Sequence, residues 1–166
     1  MKQVRGNPSS DREITPTTYA FSSTGASGAI NASGGVNLSA LETGQSIFLG
    51  LDSGNSNGFE QSKEYFVIPV SSAAIKVAAT YNDAVAGTYL TSASGDANTG
   101  DIYPTYKVGG VIFVGTGGNV NIRGIQNDTE SFSLHKNVGN GTTLPFMIKD
   151  IWASGTTATD IVVWND

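Results

Sequence analysis

The chain contains no cysteine at all. That excludes disulfides, thiolate metal sites and thiol nucleophiles in one step, and it suits a reducing compartment of synthesis. Histidine occurs once, at His135, so the usual zinc ligand sets cannot be assembled. Charge is also scarce: charged residues make up 14%, against the usual quarter. No run of residues approaches the roughly 20 apolar positions of a membrane span, and the beginning Met1-Lys2-Gln3-Val4-Arg5 has no apolar core of a signal peptide. The nine Lys and Arg are scattered singly over a chain of net charge −5, which leaves no basic footprint for nucleic acid.

What is present is neutral polar surface and β-patterned apolar residues. Hydrophobic residues make up 39% of 166, enough for a folded core without staples. With so few charges, the surface must be built largely from Ser, Thr, Asn and Gly. Such a surface costs little to desolvate against neighbouring copies of the same molecule. Four Asn-x-Ser/Thr triplets begin at Asn31, Asn37, Asn127 and Asn140 and read as coincidence in so Asn- and Thr-rich a chain.

Apolar residues recur with period 2 at Val36/Leu38, Ile47/Leu49/Leu51, Tyr65/Val67, Ile75/Val77/Ala79, Val120/Ile122, Phe132/Leu134, Leu144/Phe146/Ile148 and Ile161/Val163. This is the spacing of half-buried strands. The continuous runs 111–114 and 161–164 predict strands covered on both faces. Turn chemistry separates the runs at Ser33-Gly34-Gly35, Thr43-Gly44, Ser53-Gly54-Asn55, Asn57-Gly58, Ser94-Gly95-Asp96, Gly109-Gly110, Gly117-Gly118, Asn140-Gly141 and Ser154-Gly155. Helix is predicted only around 78–86, stopped by Gly87, with a short turn at 38–42. The expected fold is all-β: an antiparallel β-sandwich or jelly-roll-like barrel with at most one or two short helices.

Three segments are expected. Residues 1–18 read as an extended arm, either frayed or reaching onto a neighbouring subunit, with Val4, Arg5, Arg12 and Ile14 as its candidate contacts. Residues 19–91 form an N-terminal β lobe and 102–166 a C-terminal one. The stretch 92–101 between them is either a linker or a long loop inside one continuous sandwich over 19–166.

The motifs that could carry chemistry are weak. His135 has no Gly-x-Ser-x-Gly partner and falls in strand phase as a solvated residue. Glu60, Glu64, Asp96 and Asp101 are the acids available for glycoside hydrolysis, all in loop-like contexts. Asp52, Asn55, Asn57 and Glu64 follow the calcium-loop pattern loosely, without flanking helices. Gly115-Thr116-Gly117-Gly118 lacks the third glycine and the Lys-Ser/Thr ending of a phosphate loop, and a tight hairpin explains it. Tyr103, Tyr106, Trp152 and Trp164 suit a core, a protein interface or a sugar platform. No catalytic residue, metal or cofactor is predicted, and the chain is read as not being an enzyme.

The last third carries a recognisable order of elements. It runs Gly110-Val111-Ile112-Phe113-Val114-Gly115-Thr116-Gly117-Gly118-Asn119-Val120-Asn121-Ile122, then a strand at Ser131-Phe132-Ser133-Leu134. A Gly-Thr-Thr-Leu-Pro stretch follows at 141–145, and the end is Ala153-Ser154-Gly155-Thr156-Thr157-Ala158-Thr159-Asp160 followed by the apolar strand to Trp164. Over about 109–166 the chain resembles a small β domain of tailed phages and gene transfer agents known as the head spike base. That resemblance implies a non-enzymatic virion protein on the head surface, made in the host cytoplasm: a capsid decoration or cement protein, or a spike base. Its expected partners are the major capsid protein or other virion proteins, and further copies of itself as a trimer or pentamer, with no nucleic acid and no membrane. The alternatives are a carbohydrate-binding or host-adhesion module and a tail or neck component.

Overall fold

A computed structural model of the chain describes residues 12–24, 28–52, 58–91, 99–124 and 132–164. The strands are β1 (Arg12–Ile14), β2 (Tyr19–Thr24), β3 (Ile30–Ala32), β4 (Ser46–Leu51), β5 (Glu64–Ser71) and β6 (Ala74–Ala78). A helix α1 (Tyr81–Ala86) precedes β7 (Gly100–Thr116), β8 (Gly118–Gly124), β9 (Ser133–Val138), β10 (Thr142–Trp152) and β11 (Thr159–Trp164). The fold is all-β and antiparallel, as the period-2 pattern predicts, and α1 is the one helix among the described residues. The chain divides into two compact units: Thr17–Thr105, and Tyr106–Asp166 joined by the residues up to Pro16.

The first unit is a closed barrel. Round its wall the order is β2-β3-β6-β5-β4-β7, and β7 returns to pair with β2, every pair antiparallel. Strands β4, β5 and β6 follow one another as neighbours, and β7 returns after α1 to lie beside β4, which is a Greek-key connection. Closure leaves this wall without an edge. Inside are the alternate residues the sequence marks, Ile47, Leu49 and Leu51, Tyr65 and Val67, Ile75 and Val77, joined by Ile102 of β7, which no alternating pair had marked. Each large aliphatic so buried contributes about 1.5–3 kcal/mol. Tyr65 is fully buried, and its hydroxyl accepts the Glu60 N–H at 2.7 Å, which satisfies the polar tip inside an apolar core. Helix α1 forms where expected. Thr80 caps it by accepting the Asp83 N–H at 3.1 Å, and Gly87 ends it in the left-handed region at φ 75°.

The second unit is a sheet of order β1-β11-β7-β10-β8-β9. Its core gathers Ile14, Val108, Ile112, Val114, Val120, Ile122, Leu144, Ile148, Ile151, Ala158, Ile161 and Val163. In β10 the register against β8 shifts between Ile148 and Asp150. This bulge moves the buried phase from Leu144 and Ile148 to Ile151.

Several expectations are corrected. Val36 and Leu38 are not in a strand; Leu38 is buried from a turn, where its N–H donates to Ser72 O at 2.8 Å. The runs 111–114 and 161–164 are covered on one face only: Ile112, Val114, Ile161 and Val163 are buried, while Val111, Phe113 and Val162 are half-buried and Trp164 is exposed. Their outward positions carry aromatic and β-branched side chains all the same.

Gly109-Gly110 is not a turn. Both lie inside β7, where Gly109 at φ 66° takes a conformation a side chain would strain. Gly117-Gly118 is not the apex of a hairpin either. Strand β8 pairs with β10 and β9, because the chain turns a corner after Thr116 instead of folding back on β7. The boundary between units falls within β7, between Thr105 and Tyr106, and not in the stretch 92–101. Residues 1–18 are not one free arm: β1 pairs with β11 through Arg12↔Val163 and Ile14↔Ile161, and Ile14 is 2% exposed. A short strand with one large inward side chain completes the sheet at low cost in ordered chain.

Candidate functional site

The residues of the C-terminal pattern lock together as scaffold. The turn after β10 lies against β8. Thr157 Oγ1 accepts the Asn119 N–H at 2.9 Å, and Thr156 Oγ1 accepts the Asn121 N–H at 3.0 Å. Asn119 O in turn accepts the N–H groups of Thr157 and Ala158, and Asn121 Nδ2 donates to Ser154 O at 2.9 Å. Glycines make the approach possible. A Cβ on Gly118 would come within 2.7 Å of Ala158 N, and one on Gly115 within 2.9 Å of Asp160 Cβ. Gly117 donates its N–H to Asn140 Oδ1 at 2.6 Å. The Gly-Thr-Gly-Gly-Asn and Gly-Thr-Thr-Ala-Thr-Asp segments are thus two halves of one hydrogen-bonded corner.

On the outward side of β8 and β10 sits a buried ion pair that the sequence reading did not single out. Arg123 Nε and Nη2 both donate to Asp150 Oδ2, at 2.8 and 2.5 Å, with the two side chains 7% and 5% exposed. The Phe132 ring covers the guanidinium at 5.0 Å and lies 5.1 Å from the Trp152 ring. Asn121 and Arg123 alternate with Val120 and Ile122, so their outward phase was legible. Their burial was not, because it depends on what covers that face.

The aromatic candidates do not converge. Tyr106 is half-buried against the second unit's core. Trp152 belongs to the Arg123–Asp150 cluster. Trp164 is 46% exposed and stacks on Phe113 at 5.9 Å and 15°, with Val111 and Val162 directly opposite Trp164 and Phe113 in the ladder. This outward strip explains why both runs are continuously apolar. In the barrel unit, Tyr103 lies across Gly50, where a Cβ would come within 2.6 Å of its ring, and its hydroxyl donates to Asp101 Oδ2 at 3.2 Å. Burial first, then the Asp101 and Asp52 charges, push its pKa up.

Of the arm candidates, Val4 and Arg5 lie outside the described residues. Arg12 is described by its backbone alone, and Ile14 is core and not interface. The calcium pattern is not gathered. Asp52 Oδ2 accepts the Thr99 hydroxyl at 2.7 Å, whereas Glu64 Oε1 accepts the Ser46 hydroxyl at 2.5 Å from β5, opposite Phe48. Four residues of strand separate Phe48 from Asp52, about 13 Å. Asn55 and Asn57 lie outside the described residues, among which no group of three His, Asp or Glu side chains is placed to hold a metal. His135 is half-buried in β9 opposite Val120. Among the described residues β9 pairs only with β8, and its Lys136 and left-handed Asn137 (φ 56°) disfavour further strand pairing at that edge.

Comparison with protein-family models, with curated proteins and with solved structures finds no match to this chain.

Proposed function

We propose that this protein is an adhesive structural module of a tailed-phage-like virion, seated on the head surface as a decoration or cement protein or as the base of a spike. The observation that carries the reading is the Phe113–Trp164 strip: a sheet face that keeps aromatic and β-branched side chains outward in a chain of very low charge. Apolar side chains turned outward together, Trp164 exposed and Val111, Phe113 and Val162 half-buried beside it, with few charges to desolvate, suit permanent contact with other proteins. The resemblance over 109–166 supplies the kind of assembly, and the interlocked corner accounts for its glycines and threonines as scaffold. On this reading the protein is not an enzyme; its work is to bury area between shell subunits and so stabilise the shell, or to mount a further component.

The test is location. Gold-labelled antibody against the chain, applied to particles purified from cells that express its gene, should decorate heads. Label confined to tails would reassign it within the virion, and absence from every particle would overturn the proposal.

A further inference from the structure

Among the described residues, the four exposed large apolar side chains of the barrel unit lie on or next to β5, β6 and α1. Tyr81 and Val85, four apart on one face of α1, are 49% and 60% exposed. Tyr81 stands edge-on to Phe66 of β5 at 6.5 Å. Val70, at the bulge of β5, is 55% exposed, and Tyr89, after α1, is 40% exposed. In their midst is a single cation: Lys76 of β6 places its Nζ 3.4 Å from the Tyr89 ring centroid. No carboxylate lies within ion-pair distance of it among the described residues. The acid nearest in sequence on the helix, Asp83, is engaged by the Thr80 hydroxyl at 2.7 Å.

The same barrel carries a face of opposite character between β4 and β7. Asp101 stands opposite Gly50, and Tyr103 opposite Phe48. Asp52 follows β4, and its N–H donates to Thr99 O at 3.0 Å. The carboxylates of Asp52 and Asp101 accept from Thr99 and Tyr103 hydroxyls, and neither has a cation within ion-pair distance among the described residues.

We propose that these two faces are the two halves of one contact between copies of this chain: the Lys76–Tyr81–Val85 face of one copy seats against the Asp101–Tyr103 face of the next. The charges choose the occupant. With a net charge of −5, two copies repel in general, so self-association needs a place where a cation meets acids. The β5–β6 face offers Lys76 within its apolar side chains, and the β4–β7 face presents paired carboxylates beside an aromatic ring. The faces lie two strand positions apart on a six-stranded wall, a third of the way round. The contact is therefore heterologous, and it closes into a ring or runs on as a filament. This deepens the head-surface reading by naming the neighbour of each module, and in that respect it rests on it.

The experiment is sedimentation equilibrium on the full chain, with charge reversals on either face. The native protein should self-associate with a dissociation constant of about 1 mM or tighter. Lys76→Glu and Asp101→Lys should each weaken association about tenfold or more. An equimolar mixture of the two variants should regain it, since every contact in an alternating assembly again pairs opposite charges. Val85→Ser should weaken association with the circular dichroism spectrum unchanged. A native chain that stays monomeric at about 1 mM, single variants that associate like the native chain, or a mixture that stays dissociated would each overturn the proposal. A monomer that still labels heads removes this contact and leaves the head-surface reading standing. Charge-dependent self-association without any particle does the reverse.

Discussion

Thr156 bridges the backbones of two residues that face each other across a ladder: its Oγ1 accepts the Asn121 N–H at 3.0 Å and donates to Trp152 O at 2.6 Å, and Asn121 and Trp152 are register partners between β8 and β10. One hydroxyl thus satisfies a donor on one strand and an acceptor on the other at the point where the ladder ends. Thr156→Val keeps the shape and removes both bonds. The expected cost is about 1–3 kcal/mol, the penalty of leaving part-buried backbone groups without partners. Urea unfolding followed by tryptophan fluorescence should show a lower midpoint with an unchanged slope, and an unchanged midpoint would mean that water replaces the hydroxyl.

The Arg123–Asp150 pair is buried on both sides, so removing one member strands the other. Asp150→Leu alone should destabilise by about 3–5 kcal/mol, whereas Arg123→Met combined with Asp150→Leu should cost clearly less than the sum of the two single changes. A double-mutant cycle of denaturant midpoints measures this. Strict additivity would show that the pair contributes no coupling.

Ile14 is core, and its removal should show it. Ile14→Ala should cost about 2–5 kcal/mol in the stability of the second unit. Deletion of residues 1–11 should leave the melting temperature nearly unchanged, and deletion of 1–16, which takes β1 and Ile14, should lower it by several degrees. Equal effects of the two deletions would place the contribution before Arg12.

Burial pushes the Tyr65 hydroxyl above its ordinary pKa of 10.0 more than its bond to the Glu60 N–H lowers it. A tyrosine with a raised folded-state pKa holds the neutral form more strongly in the fold than in the unfolded chain. Its stabilisation is present in full below pH about 10 and is lost as the pH rises through the folded value. Stability should therefore fall above pH 10, and Tyr65→Phe should flatten that fall. Tyr65→Phe also leaves the Glu60 N–H without its acceptor, so its stability at pH 7 should drop by about 1–3 kcal/mol. An alkaline limb identical in both proteins would assign it to other groups.

Much of the fold was legible because period 2 depends only on which residues alternate. Ile47/Leu49/Leu51 and Ile75/Val77 mark strands and inward faces whatever the topology. Thr80 and Gly87 bracket α1 by local geometry alone. The misreadings share one cause. Gly117-Gly118 looks like a hairpin and Gly109-Gly110 like a turn because glycine signals conformational permission, not the partner that uses it. In β7 that permission lets a strand continue through a left-handed residue, and after Thr116 it lets the chain come close to Thr157 and Ala158. The run 111–114 looks doubly buried because apolar side chains on an outward face are, in sequence, the same as apolar side chains under a second layer.

The candidate surfaces divide in the same way. The scarcity of charge, the lack of cysteine and the isolation of His135 stand in the composition and point away from thiol and zinc chemistry before any coordinates. The pairing of Arg123 with Asp150, the seating of Tyr103 on Gly50 and the setting of Lys76 against Tyr89 join residues well apart in sequence. Such pairs form only where strand order and register bring them side by side. The sequence by itself determined that this chain would be antiparallel β with a neutral polar exterior, because alternation and composition act residue by residue. Only the tertiary structure decided that β2 closes on β7 into a barrel, that β1 pairs with β11 of the C-terminal unit, and that Trp164 and Tyr81 remain outside. Those outcomes depend on which non-local partners a strand finds, a choice that loop-closure entropy and the shared core make for the chain as a whole.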